Sequence, residues 1–409
     1  MKILIIHQNF PGQFKFLAPK LSSMGHEVTA LIPTQAKSEF WQGIRLEQYH
    51  ITRPNTPHIH PLALDLESKV IRGEACLKTA IEMKRKGYSP DIILAHPGWG
   101  ESLFLKDLWP ATELKLYCEF YYHGNGYDYD FDIEFAKHSP LDAGRAHLKN
   151  ANFLLQWDRA NSGITPTNWQ FSSFPAHIRK NLSVIHDGIN CTMLRPIQDQ
   201  TLKIGDLTLT KKDEVITFVN RNLEPYRGFH IFMRSLPEIL KRRPNTRVVI
   251  IGGTGVSYGE APKGDDSWKT KFTNEIYPLL KKSEQDRIHF TGAIPYNDYI
   301  SALQISTVHV YLTYPFILSW SLIEAMSCGC AIVGSKTRPV EEVITHGETG
   351  LLVDFFGVDG LSKAVVELLA DEESRRELSE RARRTAVSNY DLEKVCLPKQ
   401  IDWVLGDKL

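Results

Sequence analysis

The chain has 409 residues, 42% of them hydrophobic, which is more than one core comfortably holds, so two domains are expected. Lys plus Arg and Asp plus Glu number 48 each, a balance in which nothing argues for a nucleic-acid partner, so none is expected and any basic site is a local one. The six cysteines are scattered, and the close pair Cys328 and Cys330 has no His or Cys cluster beside it to complete a metal site. They read as reduced thiols of a cytoplasmic protein. The apolar run after Lys2 is too short for a secretory segment, and no run reaches membrane-spanning length. A soluble chain is expected, with peripheral contact at the inner membrane face left open and the oligomeric state unread.

Strand-length apolar runs recur along the chain with helical spacing between them. The first series is KILIIH (2–7), HEVTALIP (26–33), DIILAH (91–96), LKLYCEFYY (114–122), ANFLLQ (151–156), SGITPT (162–167) and LSVIHDG (182–188). The polar stretch Asn190 to Asp213 then separates a second series. Its runs are VITFVNR (215–221), RVVIIGG (247–253), IHFTGAI (288–294), VHVYLTY (308–314), CAIVGS (330–335) and GLLVDF (350–355). Continuous apolar strands alternating with helices mean parallel sheets covered on both faces, an α/β class. The boundaries read as 1–195 for a first Rossmann-like domain, 205–388 for a second, and 389–409 for a C-terminal helix returning to the first. In such sheets ligands sit outside the carboxyl ends of the strands, so the loops there hold the candidates.

Gly12, in HQNFPGQF, sits where the first strand turns into a helix and lets backbone approach a ligand. The dinucleotide fingerprint GxGxxG is absent. In VNRNLEPYRG, Arg221 leaves a strand end and Arg227 follows before Gly228, an arrangement suited to a diphosphate. In YPFILSWSLIEAMSCGC, Glu324 falls near the start of a helix that Gly329 ends. A carboxylate there can accept two ribose hydroxyls while Ser319, Trp320, Ser321 and Leu322 offer backbone N–H groups to phosphate; a plain helix-capping glutamate is the alternative. His96, Glu119, His123, His186 and Asp187 also stand at strand ends, and Tyr121 to Asp132 is rich in Tyr, Asp and Gly, as a carbohydrate site or an ordinary exposed loop would be.

Taken together, these residues resemble a retaining glycosyltransferase of the GT-B type, close to family 4 (glycosyl transferases group 1), over nearly the whole chain. FVNRNLEPYRG resembles the family's Arg–loop–Lys–Gly segment, VIHDGIN its Asn-Gly-Val-Asp turn, SLIEAMSCGCAIVGS the second half of its paired-glutamate motif, and RPVEEVITHGETGLLVD the segment after it. Phe316 replaces the first glutamate of that pair, Ser319 a loop glycine, Asn220 another glycine, and Glu119 falls where relatives often carry a histidine. HPGWGESLFLKDLWP followed by YCEFYY resembles a bacterial subgroup with its own N-terminal domain.

The resemblance implies two doubly wound Rossmann-like domains facing each other across a cleft. It implies transfer of a hexose, UDP- or GDP-linked, to an acceptor hydroxyl of a carbohydrate, lipid-linked or small-molecule partner, with no metal or other cofactor. Arg221 and Arg227 would meet the leaving diphosphate, and Glu119 would orient or deprotonate the acceptor. Gly12, Gly253, Thr254, Ile294 and Ser319 to Leu322 would line the nucleotide, with Glu324 on its ribose. His96, Trp99, Glu119, Tyr121, His123, Phe316, Ile317 and Leu318 would face the donor sugar or acceptor. Alternatives in other classes are a nucleotide-sugar epimerase of the same fold and a non-catalytic nucleotide-binding partner; a sugar phosphorylase lacks a lysine pattern for pyridoxal.

Overall fold

The computed structural model describes residues 1–33, 38–135, 140–264 and 266–406, so the last three residues of the expected C-terminal segment 389–409 lie outside it. The chain forms two units: Met1–Asp130 with Ala136–Asp187 and Cys396–Leu409, and Phe131–Phe135 with Gly188–Val395.

The first unit is built on β1 (Lys2–Ile6), β2 (Glu27–Pro33), β3 (Phe40–Trp41), β4 (Ile44–Tyr49), β5 (Ile92–Ala95), β6 (Glu113–Tyr117), β7 (Ser162–Thr165) and β8 (Leu182–Val184). They lie in the order β3-β4-β2-β1-β5-β6-β7-β8, parallel except for β3, which pairs antiparallel with β4. Ile3 to Ile6 and Ile92 to Ala95 are fully buried, because a parallel strand covered by helices on both faces has no polar side. The chain moves outward from β1 to β4 and then returns to β5 on β1's other flank. The exits of β1 and β5 therefore border the switch point where such sheets bind ligands.

The expected strand at 151–156 is instead part of the helix Pro140–Trp157. That segment contains no β-branched residue, and its Ala, Leu, Lys and Gln favour helix, with Ala146, Asn150, Phe153 and Trp157 spaced three or four apart. The short apolar run Phe153 to Leu155 resembles a strand only when the helical turns before it are left out.

The second unit carries a two-stranded hairpin, β9 (Thr201–Ile204) with β10 (Leu207–Thr210), inside the polar stretch between the two series of strands. Its main sheet uses β11 (Val215–Asn222), β12 (Arg247–Gly253), β13 (Ile288–Gly292), β14 (Val308–Tyr311), β15 (Ala331–Ser335) and β16 (Leu351–Val353). The order is β13-β12-β11-β14-β15-β16, all parallel, so the exits of β11 and β14 border this sheet's switch point. The long helix Glu372–Tyr390 ends before Asp391, and Leu397–Leu405 forms the last described helix. No helix among the described residues is long and apolar enough to cross a membrane.

Candidate active site

In the first unit, the exits of β1, β5 and β6 bring together His7, His96, Trp99 and Glu119. The backbone N–H of Asn9 donates to His7 Nδ1 at 3.0 Å, so the neutral ring carries its proton on Nε2 and donates to Gln13 Oε1 at 2.6 Å. Burial, reinforced by the nearby His96, pulls the His7 imidazole down to about 4 and keeps it neutral. Gln13 Nε2 in turn donates to Glu119 Oε1 at 3.3 Å. His96 accepts the N–H of Gly98 on Nδ1 at 3.1 Å, which places its proton on Nε2, 3.6 Å from Glu119 Oε2. Trp99 stacks on His96 with centroids 4.4 Å apart. Glu119 thus receives a side-chain donor on one oxygen and faces an imidazole N–H with the other, while Gln170 fixes its backbone carbonyl at 2.6 Å.

Gly12 closes this cluster. Its φ is +46°, and a Cβ there would lie 2.2 Å from the His7 ring, so the space its missing side chain frees is filled by imidazole. His7 and Gln13 belong to no motif that the sequence presents. The position of His7 at the end of a buried strand, matching that of His96, is the available signal.

Tyr121 and His123 lie elsewhere in this unit, lining a cavity of about 330 Å³ with His147 and Asn150. His123 stacks on Tyr127 at 4.0 Å, and its Nε2 hydrogen-bonds the Ser173 carbonyl at 2.8 Å.

In the second unit, the two arginines occupy different surroundings. Arg221 is exposed at the end of β11. Arg227 is buried, donating from Nη1 to Thr313 Oγ1 and to the Ile317 carbonyl, each at 2.8 Å, with its guanidinium 5.0 Å from the Tyr258 ring centre. It holds the loop after β14 against the loop after β11. Gly228 follows in the left-handed region at φ +67°, where a Cβ would strike Leu312 at 2.3 Å. Glu224 is buried and accepts the backbone N–H groups of Ser257, Tyr258 and Gly259 at 3.2–3.3 Å, tying down the loop after β12. Gly253 and the exposed Thr254 begin that loop, and half-buried Ile294 follows β13.

The helix Trp320–Ser327 follows β14, with Ser319 as its N-cap accepting from Ser321 N–H at 3.3 Å. Ser319 N–H is itself taken by the Tyr311 hydroxyl at 2.8 Å, and Leu322 N–H by the Ser319 carbonyl. Glu324, one turn in, is 7% exposed and accepts the hydroxyls of Tyr296 at 2.7 Å and Tyr299 at 2.5 Å, one on each oxygen. Burial and the adjacent carboxylate push both phenols above their usual range, so they remain donors. Phe316 is buried among aromatic rings, 5.2 Å from Tyr258 and 5.7 Å from Tyr226; Ile317 and Leu318 follow it. Among the described residues no group of three His, Cys, Asp or Glu is placed to hold a metal ion.

Both halves of the chain match glycosyltransferase families: residues 24–194 the glycosyl transferase family 4 group, and residues 199–385 the glycosyl transferases group 1. N-acetyl-alpha-D-glucosaminyl L-malate synthase of Bacillus anthracis is 32% identical over 29% of this chain and 31% of its own. D-inositol 3-phosphate glycosyltransferase of Corynebacterium efficiens is 25% identical over 47% and 44%, and phosphatidyl-myo-inositol mannosyltransferase of Mycolicibacterium smegmatis 25% over 44% and 42%. The matches thus span less than half of these relatives' length. Among solved structures, sucrose-phosphate synthase of Thermosynechococcus elongatus superposes with a TM-score of 0.71 at 16% identity, over 98% of each chain. HepE of Anabaena in complex with UDP-glucose gives 0.66 at 16%, over 99% of each. The fold is therefore that of the GT-B enzymes, two Rossmann-like units, and the two halves of the chain match glycosyltransferase families, the first the family 4 group and the second group 1.

Proposed function

We propose that the protein is a retaining hexosyltransferase that moves a sugar from a UDP- or GDP-linked donor to an acceptor hydroxyl. The observation that supports this most is the pairing at the second unit's switch point: an exposed guanidinium, Arg221, where β11 ends, and a buried, phenol-held carboxylate, Glu324, on the helix after β14. A carboxylate can accept both hydroxyls of a ribose diol, and the guanidinium suits the diphosphate that gains charge as the glycosidic bond breaks. Arg227 supports that loop from beneath, and its remaining donors add to the positive field.

The leaving diphosphate is met by guanidinium groups, and the acceptor attacks from the leaving-group face, so neither a metal nor a protein nucleophile is needed. Glu119, held by Gln13 and facing His96 Nε2–H, orients the acceptor hydroxyl and takes its proton. The HepE complex with UDP-glucose and the sugar-transferring relatives are consistent with such a donor.

A thermal-shift screen over UDP, GDP and ADP and their sugars tests the donor class, since a ligand at a hundredfold its Kd adds about 2.7 kcal/mol of stability. Incubation of the preferred nucleotide sugar without acceptor then separates two outcomes. Slow release of free sugar, undiminished by EDTA, agrees with the transferase reading; an isomerised nucleotide sugar would replace it with an epimerase.

A further inference from the structure

On the far side of β1 from His96, the first unit contains a cavity of about 650 Å³, within the range of small-molecule sites. Its wall is built by the hairpin of β3 and β4, whose two-residue turn takes positive φ at Gln42 (47°) and Gly43 (82°). That turn folds Trp41 back over the β1 exit, where it meets Phe10 edge to face at 5.3 Å. Among the described residues the lining is otherwise apolar or neutral, and one charged side chain, Arg72 of the helix Leu64–Arg85, enters it.

The guanidinium of Arg72 is fixed before any ligand arrives. Its Nη1 donates to Gln8 Oε1 on the β1 exit loop and lies 3.9 Å from Glu101 Oε1. Glu101 is 1% exposed and is itself held by the Tyr49 hydroxyl at 3.0 Å. One of the five N–H donors of Arg72 is accounted for by a hydrogen bond, and an aromatic corner stands beside the others. A positioned guanidinium in an apolar pocket selects a planar or tetrahedral oxyanion, and an aromatic corner suits the C–H face of a ring.

We infer that this cavity is the acceptor site and that it takes a hydroxylated ring bearing a phosphate or carboxylate, read by Arg72 with Trp41 and Phe10 against the ring. The inference rests on the transferase reading for the ligand's role as acceptor. The cavity and the Glu119 cluster share the loop Gln8–Pro11, since Asn9 both lines the cavity and orients His7 through its N–H.

The test uses the full chain labelled with 5-fluorotryptophan, the Trp41 resonance being assigned by its loss in Trp41→Phe. Glucose 6-phosphate and glucuronate are titrated against neutral methyl glucoside. The anionic probes are expected to move the Trp41 resonance and to bind at least tenfold tighter than the neutral one. Arg72→Met should abolish that preference, and so should Arg72→Met with Glu101→Gln, which removes the buried countercharge as well. UDP affinity should stay within twofold in both variants. Equal binding of charged and neutral probes, a preference that survives both variants, or a Trp41 resonance that no probe moves would overturn the assignment. Failure of the unmutated protein to bind UDP would instead count against the donor reading, so the two failures are distinct.

Discussion

Tyr299 donates its hydroxyl to Glu324 Oε2 at 2.5 Å, joining the helix Tyr296–Ile305 to the helix Trp320–Ser327 beneath the proposed ribose site. The contact fixes the orientation of the carboxylate. Glu324→Ala is expected to raise the donor KM at least tenfold with a smaller effect on kcat, because a ribose contact is made equally in ground and transition states. Tyr299→Phe should raise it by a few-fold and cost about 1 kcal/mol of stability, the ordinary worth of one buried hydrogen bond. An unchanged KM in Glu324→Ala would refute the ribose role.

Glu119→Gln is expected to lower turnover at least a hundredfold while leaving UDP affinity intact, since the amide cannot take the acceptor's proton. Steady-state kinetics with a separate UDP titration check it; near-normal turnover would remove Glu119 from the chemistry.

Burial holds three imidazoles neutral: His7 and His186 are pulled down to about 4 and His309 to about 3. Unfolded, each titrates near 6.5, so the unfolded chain binds the extra protons. Stability is therefore complete above pH 6.5 and falls as pH drops toward 4, by roughly 1.4 kcal/mol per pH unit for each such histidine. Urea unfolding of His7→Gln between pH 6 and 4.5 should show the slope of its unit reduced by about that amount relative to the unmutated chain.

Most strands are legible in the sequence because buried parallel strands announce themselves as short apolar runs, as KILIIH and RVVIIGG do. The elements that escape are those without that signature. In β4, IRLEQY, only Ile44 and Tyr49 are buried, and Arg45, Glu47 and Gln48 between them hide a strand that lies next to the sheet edge. The hairpin of β9 and β10 lies inside a polar stretch. At the proposed site, the places of Arg221 and Arg227 around the exit of β11 and of Glu324 in the helix after β14 are legible from motif spacing. Their surroundings are not: nothing in the spacing of Arg221 and Arg227 tells that one is exposed and the other buried against Thr313. The phenols that hold Glu324 come from residues 25 and 28 positions away, so only the folded chain pairs them.

Asp132 belongs to a five-residue segment, Phe131–Phe135, that is part of the second unit although it lies early in the chain. It is 2% exposed, accepts the Tyr314 hydroxyl at 2.6 Å and lies 3.1 Å from His230 Nε2. Burial alone would raise its carboxyl, but the neighbouring His230 imidazole and the hydrogen bond from Tyr314 outweigh it and hold the group below its usual range. Its contribution is thus present above the unfolded carboxyl pKa and is lost as pH falls through the folded value. Asp132→Ala should cost about 3 kcal/mol by leaving the Tyr314 and His230 groups buried without their acceptor. Faster chymotryptic cleavage after Phe131 and Phe135 should accompany it, and an unchanged cleavage rate would show that the aromatic packing alone holds the segment.

Phe316 stands where the resemblance to family 4 implies the first of two carboxylates, and its surroundings show what an exchange must contend with. The ring is buried against Tyr226 and Tyr258, and Arg227 lies over the other side of that cluster with its guanidinium 5.0 Å from Tyr258. Phe316→Glu replaces an apolar ring by a carboxylate that must find a partner or lose about 1–3 kcal/mol to desolvation. Arg227, already bonded to the Ile317 carbonyl next door, is the cation this loop offers it. Pairing of the introduced carboxylate with Arg227 would draw the guanidinium from Thr313 and present negative charge toward the donor sugar. The expected outcome is a protein of moderately lower Tm with an altered ranking of donor sugars in competition assays. The same ranking and the same rate, in a variant shown by its Tm to be folded, would mean that the side chain at this position does not govern how the sugar is held.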